Sequence, residues 1–243
     1  MYNNTVKIEN KGNTKMVAHR GASGLERENT CAAFVAAGNR SYFGIETDLY
    51  VTADGKYAIG HDYSLNRCGG VDIRMEDSTL EELRAVTLFD IDGVSRRSDL
   101  RVPELSDYIS ICKKYGKVAV LELKSRFTPA QIGEILAIIE GYEYLSSLIF
   151  ISFVPENLVE VRRQAPKATC QLLPPQNDPE WIFEFCLTNR IDLDAPAGYL
   201  TEELVKKAHA AGILVNCWTV DDPALAARMI DMGVDFITTN RLE

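Results

Sequence analysis

No run of apolar residues in this chain approaches the ~20 needed to cross a bilayer as a helix, so stable membrane insertion is not expected. Positive charge is the minority sign, with 26 Lys and Arg against 35 Asp and Glu, a net −9. A general nucleic-acid binder needs a basic face to displace counterions, and that shortage argues against one. An anionic small molecule is still admissible, because a few cations and a metal ion can reverse the local potential. Cysteine pairs are missing too. The six cysteines, Cys31, Cys68, Cys112, Cys170, Cys186 and Cys217, form no CxxC and no zinc-like spacing. Several sit in apolar runs, as reduced core residues do, which favours a reducing compartment and a cytoplasmic location. Met1 to Lys15 is polar and lacks the apolar stretch of a secretory signal. No GxGxxG follows the first apolar run, which weakens the case for a doubly wound nucleotide-binding sheet.

What the 243 residues do contain is repetition of one theme: a short apolar run, a polar turn, then a helical stretch closed by glycine. Strand-like runs occur at Met16–His19, Gly44–Leu49, Val118–Leu123, Leu148–Phe153, Ala168–Leu173, Ile191–Asp194, Ile213–Thr219 and Asp235–Thr238. Helix punctuation falls between them. Thr128-Pro129 opens a helix that Gly141 closes, Thr201-Glu202-Glu203 opens one that Gly212 stops, and Asp222-Pro223 opens one ending at Gly233. A further helix begins near Glu104 and ends at Gly116. Eight β-then-α units in one α/β domain spanning residues 1–243 predict a TIM-type (β/α)8 barrel, with its active site at the C-terminal ends of the strands. One unit is irregular. Tyr57–His61 looks like an extra strand joined to the second strand by the turn at Ala53-Asp54-Gly55. An insertion of residues 62–103 follows it, with a capping box at Thr79-Leu80-Glu81-Glu82, and is expected to fold over the barrel mouth.

Charged and polar residues gather at the ends of the first three strands. His19 and Arg20 end the first. Glu46 and Asp48, two apart on the second, point to one face. Two adjacent carboxylates resist ionising together unless a positive charge lies between them. A hard divalent cation supplies that charge, with Glu122 on the neighbouring strand as a third oxygen ligand. Ion pairs to Arg20 or Lys124 would serve the same acids, but His19 and His61 at equivalent strand ends favour the metal. Gly21 lets the chain turn so that Arg20 reaches inward to fork onto a phosphate while His19 acts as base or acid. Lys124 shares a face with Glu122 and can neutralise a second phosphate oxygen or simply pair with that acid. Trp218, one of two tryptophans, suits a pocket wall or the core. His209, in a Lys-rich helical segment, is assigned no role. Two bases, three carboxylates and two cations are equipment for metal-assisted attack on a phosphate ester.

In order and spacing, His19-Arg20-Gly21, Glu28-Asn29-Thr30, Glu46-x-Asp48, Asp54-Gly55, His61-Asp62 with Leu65 and Arg67, Glu122-x-Lys124, Ser152-Phe153 and Trp218-Thr219 resemble the glycerophosphodiester phosphodiesterase family. The likeness runs from about Met16 to the C-terminus. It implies a TIM-type barrel and one divalent cation, Mg2+ or Ca2+, on Glu46, Asp48 and Glu122. It also implies a His19/His61 acid–base pair, with Arg20 and Lys124 on the phosphate of a small-molecule glycerophosphodiester. The expected reaction releases glycerol 3-phosphate and an alcohol such as choline or ethanolamine. Two departures stand out: Arg27 replaces a frequent Pro, and Thr239-Asn240-Arg241 replaces a common Thr-Asp ending. Both are expected near the rim, clear of the chemistry. The competing expectations are a lyase or lysophospholipase D-like activity on lysolipids, a noncatalytic phosphate-binding barrel, and an enolising or aldol barrel, against which the paired histidines argue. Neither the attacking group (water or the glycerol 2-hydroxyl) nor the oligomeric state is readable.

Overall fold

The computed structural model describes residues 4–243. Strands β1 (Lys15–Ala18), β2 (Gly44–Val51), β3 (Tyr57–Ile59), β4 (Val118–Leu123), β5 (Leu148–Ser152), β6 (Thr169–Leu172), β7 (Asp192–Pro196), β8 (Val215–Trp218) and β9 (Phe236–Thr239) form one sheet. All neighbouring pairs are parallel except β2 with β3. Because β1 pairs with both β2 and β9, the eight parallel strands close into the expected (β/α)8 barrel. The sequence runs match these strands within a residue or two. Ile191–Asp194 slides to Asp192–Pro196, and Ile213–Thr219 contracts to Val215–Trp218.

Helices α1 (Cys31–Gly38), α2 (Asn66–Gly69), α3 (Leu80–Ala85), α4 (Leu105–Tyr115), α5 (Pro129–Gly141), α6 (Pro155–Gln164), α7 (Pro179–Asn189), α8 (Glu202–Ala210) and α9 (Pro223–Met232) link the strands. Local chemistry sets their ends. Thr79 and Thr128 close capping boxes with Glu82 and Gln131, and Pro occupies the first turn of α5, α6, α7 and α9, where its missing N–H costs nothing. The main core lies between the strands' outer faces and these helices, with Phe34, Tyr108 and Phe150 wholly buried. Inside the barrel a separate buried cluster joins Val17, Val120, Ile149, Ile151, Leu173 and Phe236. Lys15 seals the N-terminal end, its ammonium 4.6 Å from the Phe43 ring centroid.

Residues between β3 and α4 build a small core of their own from Leu65, Met75, Leu83, Leu88, Leu100 and Val102, packed with Tyr50 of β2 and Ala58 of β3. Three consecutive residues of the β1–α1 loop grip this segment. Glu26 binds Arg97 at 2.8 Å, Arg27 donates to the carbonyls of Phe89 and Asp90, and Glu28 accepts both Nη groups of Arg67 at 2.7 and 2.8 Å. Arg27, in place of the family's frequent Pro, is thus a buried clasp. Among the described residues no helix is long and apolar enough to cross a membrane.

Candidate active site

Parallel pairing places Asp48 directly beside Glu122, and Glu46 lies two residues back on the same face of β2. A ligand oxygen from each of Glu46, Asp48 and Glu122 falls within 4.8 Å of the others, and all three side chains are buried. Two cations meet them. Lys124 Nζ stands 3.1 Å from Glu122 and 3.5 Å from Asp48, and Arg20 Nε stands 3.7 Å from Asp48. The ion pairs considered from sequence are therefore real, yet they do not complete the site. Asp48 Oδ1 is buried without a hydrogen bond, as is Arg20 Nε. Three carboxylates against two cations, all oxygen donors, with one orphaned carboxylate oxygen among them, fit a hard divalent ion. Without such an ion, burial and the neighbouring Asp48 push Glu46 well above the usual carboxyl range and Glu122 to about 8, despite Lys124.

The β1–α1 loop makes this arrangement possible. The turn expected at Gly21 begins a residue earlier: Arg20 itself has φ +54°, a conformation disfavoured outside glycine. Its backbone N–H donates to Glu46 Oε2 at 2.7 Å, and its carbonyl accepts from the Asn29 N–H at 3.0 Å. Gly21 follows at φ +77°, where a Cβ would lie 2.7 Å from the Ala33 backbone. Arg20 therefore points inward, its Nη1 bonded to Glu28 at 2.8 Å. Asn29 supplies a further support that the sequence offered only as part of Glu28-Asn29-Thr30. Its amide donates to Asp48 Oδ2 at 2.7 Å and accepts from Thr47 Oγ1 at 2.7 Å.

Each histidine has its own orienting partner. His19 Nδ1 lies 2.8 Å from Asn240 Oδ1. The amide cannot be turned the other way, because Nδ2 of Asn240 donates to Asp221 Oδ2 at 2.5 Å and a carboxylate only accepts. His19 therefore carries its proton on Nδ1, and Nε2 is the free edge. Burial and the adjacent Arg20 lower its pKa below the usual histidine value. The expectation that Asn240 stands clear of the chemistry is thus corrected: the C-terminal end of β9 is the next strand to β1, and it delivers the amide to the ring. His61, just past β3, places Nδ1 2.8 Å from Asp62 Oδ1, whose other oxygen accepts from Arg67 Nε at 2.6 Å. Those bonds outweigh partial burial and hold the Asp62 carboxyl below its ordinary value. Arg67 also helps hold Glu28 down to about 2 against burial. The chain Arg20–Glu28–Arg67–Asp62–His61 so ties both histidine loops together.

His19, Arg20, Glu46, His61, Glu122, Lys124 and Trp218 all border one cavity of about 190 Å³ at the C-terminal barrel end. Ile151, Phe153 and Leu173 line its apolar side, with the Phe153 ring edge-to-face on Trp218 at 5.9 Å. Trp218 borders this cavity and also packs against the interior apolar cluster. Its Nε1 bonds the Asp194 carbonyl at 3.3 Å. His209 lies outside the site, paired with Asp235 at 2.9 Å on the barrel exterior. Asp194, a buried acid that also borders the cavity, drew no attention in the sequence, although acids alternate with apolar residues in Ile191-Asp192-Leu193-Asp194.

Known proteins align with this arrangement over nearly the whole chain. A glycerophosphodiester phosphodiesterase of Caldanaerobacter subterraneus subsp. tengcongensis is 28% identical over 229 residues, covering 93% of this chain and 94% of that protein. A crystal structure of a glycerophosphodiester phosphodiesterase from Parabacteroides distasonis superposes with a TM-score of 0.77 at 29% identity, covering 94% of this chain and 93% of that one. A phosphodiesterase of Oleispira antarctica, solved in complex with the product sn-glycerol-3-phosphate, gives 0.80 at 25% identity, covering 93% and 92%. The sequence model of the glycerophosphoryl diester phosphodiesterase family matches residues 19–243, and with the barrel it resolves the fold and class: the chain belongs to that family of phosphoric diester hydrolases.

Proposed function

We propose that the chain hydrolyses glycerophosphodiesters to glycerol 3-phosphate and an alcohol, with one divalent cation, Mg2+ or Ca2+, on Glu46, Asp48 and Glu122. The observation that carries this reading is the meeting of that carboxylate trio with Arg20, Lys124, His19 and His61 around a single cavity. The product complex of the Oleispira relative supports this substrate class. A bound divalent cation offsets charge on the phosphate oxygens and lowers the pKa of an attacking hydroxyl.

The chain's own residues do the rest. Arg20 and Lys124 bind the phosphate and draw off the charge that builds in the transition state, preorganised by Glu28, Asp48 and Glu122. His19, neutral and fixed with Nε2 free, takes the proton of the attacking hydroxyl. His61, on the more exposed side at 33% side-chain exposure, gives a proton to the departing alcohol oxygen. Trp218 and Phe153 flank the substrate and keep water from the apolar side of the cavity. The insertion of residues 62–103 meets the leaving alcohol.

The test is turnover of glycerophosphocholine, glycerophosphoethanolamine and lysophosphatidylcholine side by side, with and without chelator. Glycerophosphodiester turnover that EDTA abolishes and metal restores is the expected result, and Asp48→Asn should weaken metal binding and turnover together. Full activity after exhaustive chelation would remove the metal, and preference for the lysolipid would move the function to the lysophospholipase D-like reading.

A further inference from the structure

The proposed chemistry occupies the side of the cavity formed by β1, β2 and β4, but the opposite side holds a buried acid it does not use. Asp194 lies on β7 in register with Asn216 of β8, so both side chains face the barrel interior. Only 1% of Asp194 is exposed, its Oδ1 has no hydrogen-bond partner, and it borders the cavity. Asn216 beside it is engaged elsewhere, and only Gln171 Nε2 nearby is likewise without a partner. Asn216 Nδ2 donates to Gln171 Oε1 at 3.1 Å, and Asn216 Oδ1 accepts from Thr238 Oγ1 at 3.2 Å. Leaving a buried carboxyl unanswered costs several kcal/mol in general, so a group kept in that state at a pocket wall is a receptor for something that arrives.

We propose that Asp194 receives the terminal hydroxyl of the substrate's glycerol group, so that the cavity selects diesters whose glycerol end carries no acyl chain. The inference rests on the phosphodiesterase reading above and gives it a specificity. With the phosphate between Arg20 and Lys124, the glycerol carbons run along Trp218, whose indole is fixed to the Asp194 carbonyl at 3.3 Å. The chain's far hydroxyl then reaches the Asp194 side chain on the same strand. Burial and the charge of Glu122 raise the Asp194 carboxyl well above its ordinary value, and a carboxyl bonds an alcohol in either protonation state, as acceptor or donor. An acyl ester at that position has no O–H to offer and would press hydrocarbon onto a buried polar group. A site built to pair a hydroxyl rejects the analogue lacking it far more strongly than a hydrophobic slot rejects a missing methylene.

The experiment compares glycerophosphocholine with the phosphocholine diester of 1,2-propanediol that lacks only the terminal hydroxyl. Wild type should favour the glycerol compound by ~100-fold or more in kcat/KM. Asp194→Ala should collapse that preference to within ~10-fold and raise the relative turnover of lysophosphatidylcholine, while Asp194→Asn, which keeps an acceptor, retains part of it. Because Oδ1 has no native partner to lose, the melting temperature of Asp194→Ala should not fall, which separates recognition from a structural role. Titration calorimetry should show the same ordering for sn-glycerol 3-phosphate against 1,2-propanediol phosphate. If wild type hydrolyses the glycerol diester but Asp194→Ala keeps the full preference, Asp194 is merely bridged to Gln171 through water, and this proposal alone falls. If wild type hydrolyses no glycerophosphodiester at all, the parent reading falls with it.

Discussion

Lowering the pH should weaken binding of the proposed cation to Glu46, Asp48 and Glu122. Burial and the neighbouring Asp48 push the metal-free Glu122 carboxyl up to about 8, and they push Glu46 well upward too. Both must be carboxylates to bind a cation, so protons and metal compete. The sign follows directly: below pH 8 a proton must leave Glu122 for each metal bound, and affinity weakens as the solution becomes more acid. For that one proton, affinity should fall roughly 50-fold between pH 8 and pH 6, and Glu46 makes the slope steeper. At pH 7, Glu122 alone should release about 0.9 proton per ion bound. Calorimetric titration of the chelator-treated protein with Mg2+ or Ca2+, in buffers of different ionisation enthalpy, counts those protons. Glu122→Gln should bind more weakly and release about one proton fewer. Metal that binds equally well at pH 6 and pH 8, with no proton released, would refute the electrostatic account of the trio.

His19→Ala and His61→Ala should each lower kcat by ~100-fold or more with metal affinity unchanged, whereas His209→Ala should turn over normally, as steady-state kinetics beside metal titration will register. Asn240→Ala should lower kcat by up to ~100-fold through lost orientation of His19, read in the same kinetics. Arg27→Ala removes the clasp on the Phe89 and Asp90 carbonyls, and should cost about 2 kcal/mol or more in thermal or denaturant unfolding. Its activity profile should change most in the ranking of leaving alcohols, the part of the substrate that the 62–103 insertion is proposed to meet.

The barrel was legible because it depends on short-range signals. Thr128-Pro129, Asp222-Pro223 and Gly233 mark helix ends by local backbone chemistry, and each marks one in the structure. The trio was legible because Glu46 and Asp48 sit two apart on one strand, where the period of a strand alone puts them together. What the sequence did not disclose depends on closure. Asn240 and His19 are 221 residues apart, and only the β1–β9 pairing joins them. Arg27 read as a rim substitution because its partners are main-chain carbonyls, which carry no sequence signature. Asp194 read as one acid among many, since the absence of a partner is a property of the packed interior.

The two orienting partners differ in a way that matches the proposed division of labour. A base must begin neutral, and His19 is given a neutral amide, backed by Asp221 at one remove. The proposed acid, His61, is instead oriented by a carboxylate, Asp62, that Arg67 keeps in place. Glu28 connects the two halves. It spends one oxygen on Arg20 while both oxygens are held by Arg67. When Arg20 turns its fork to a phosphate, Glu28 loses one bond and keeps a bidentate partner, so freeing Arg20 strands no buried charge. Arg20, proposed to bind the phosphate, is thereby held inward in the resting protein without being locked there, and Arg67, which anchors Glu28, also keeps Asp62 on His61.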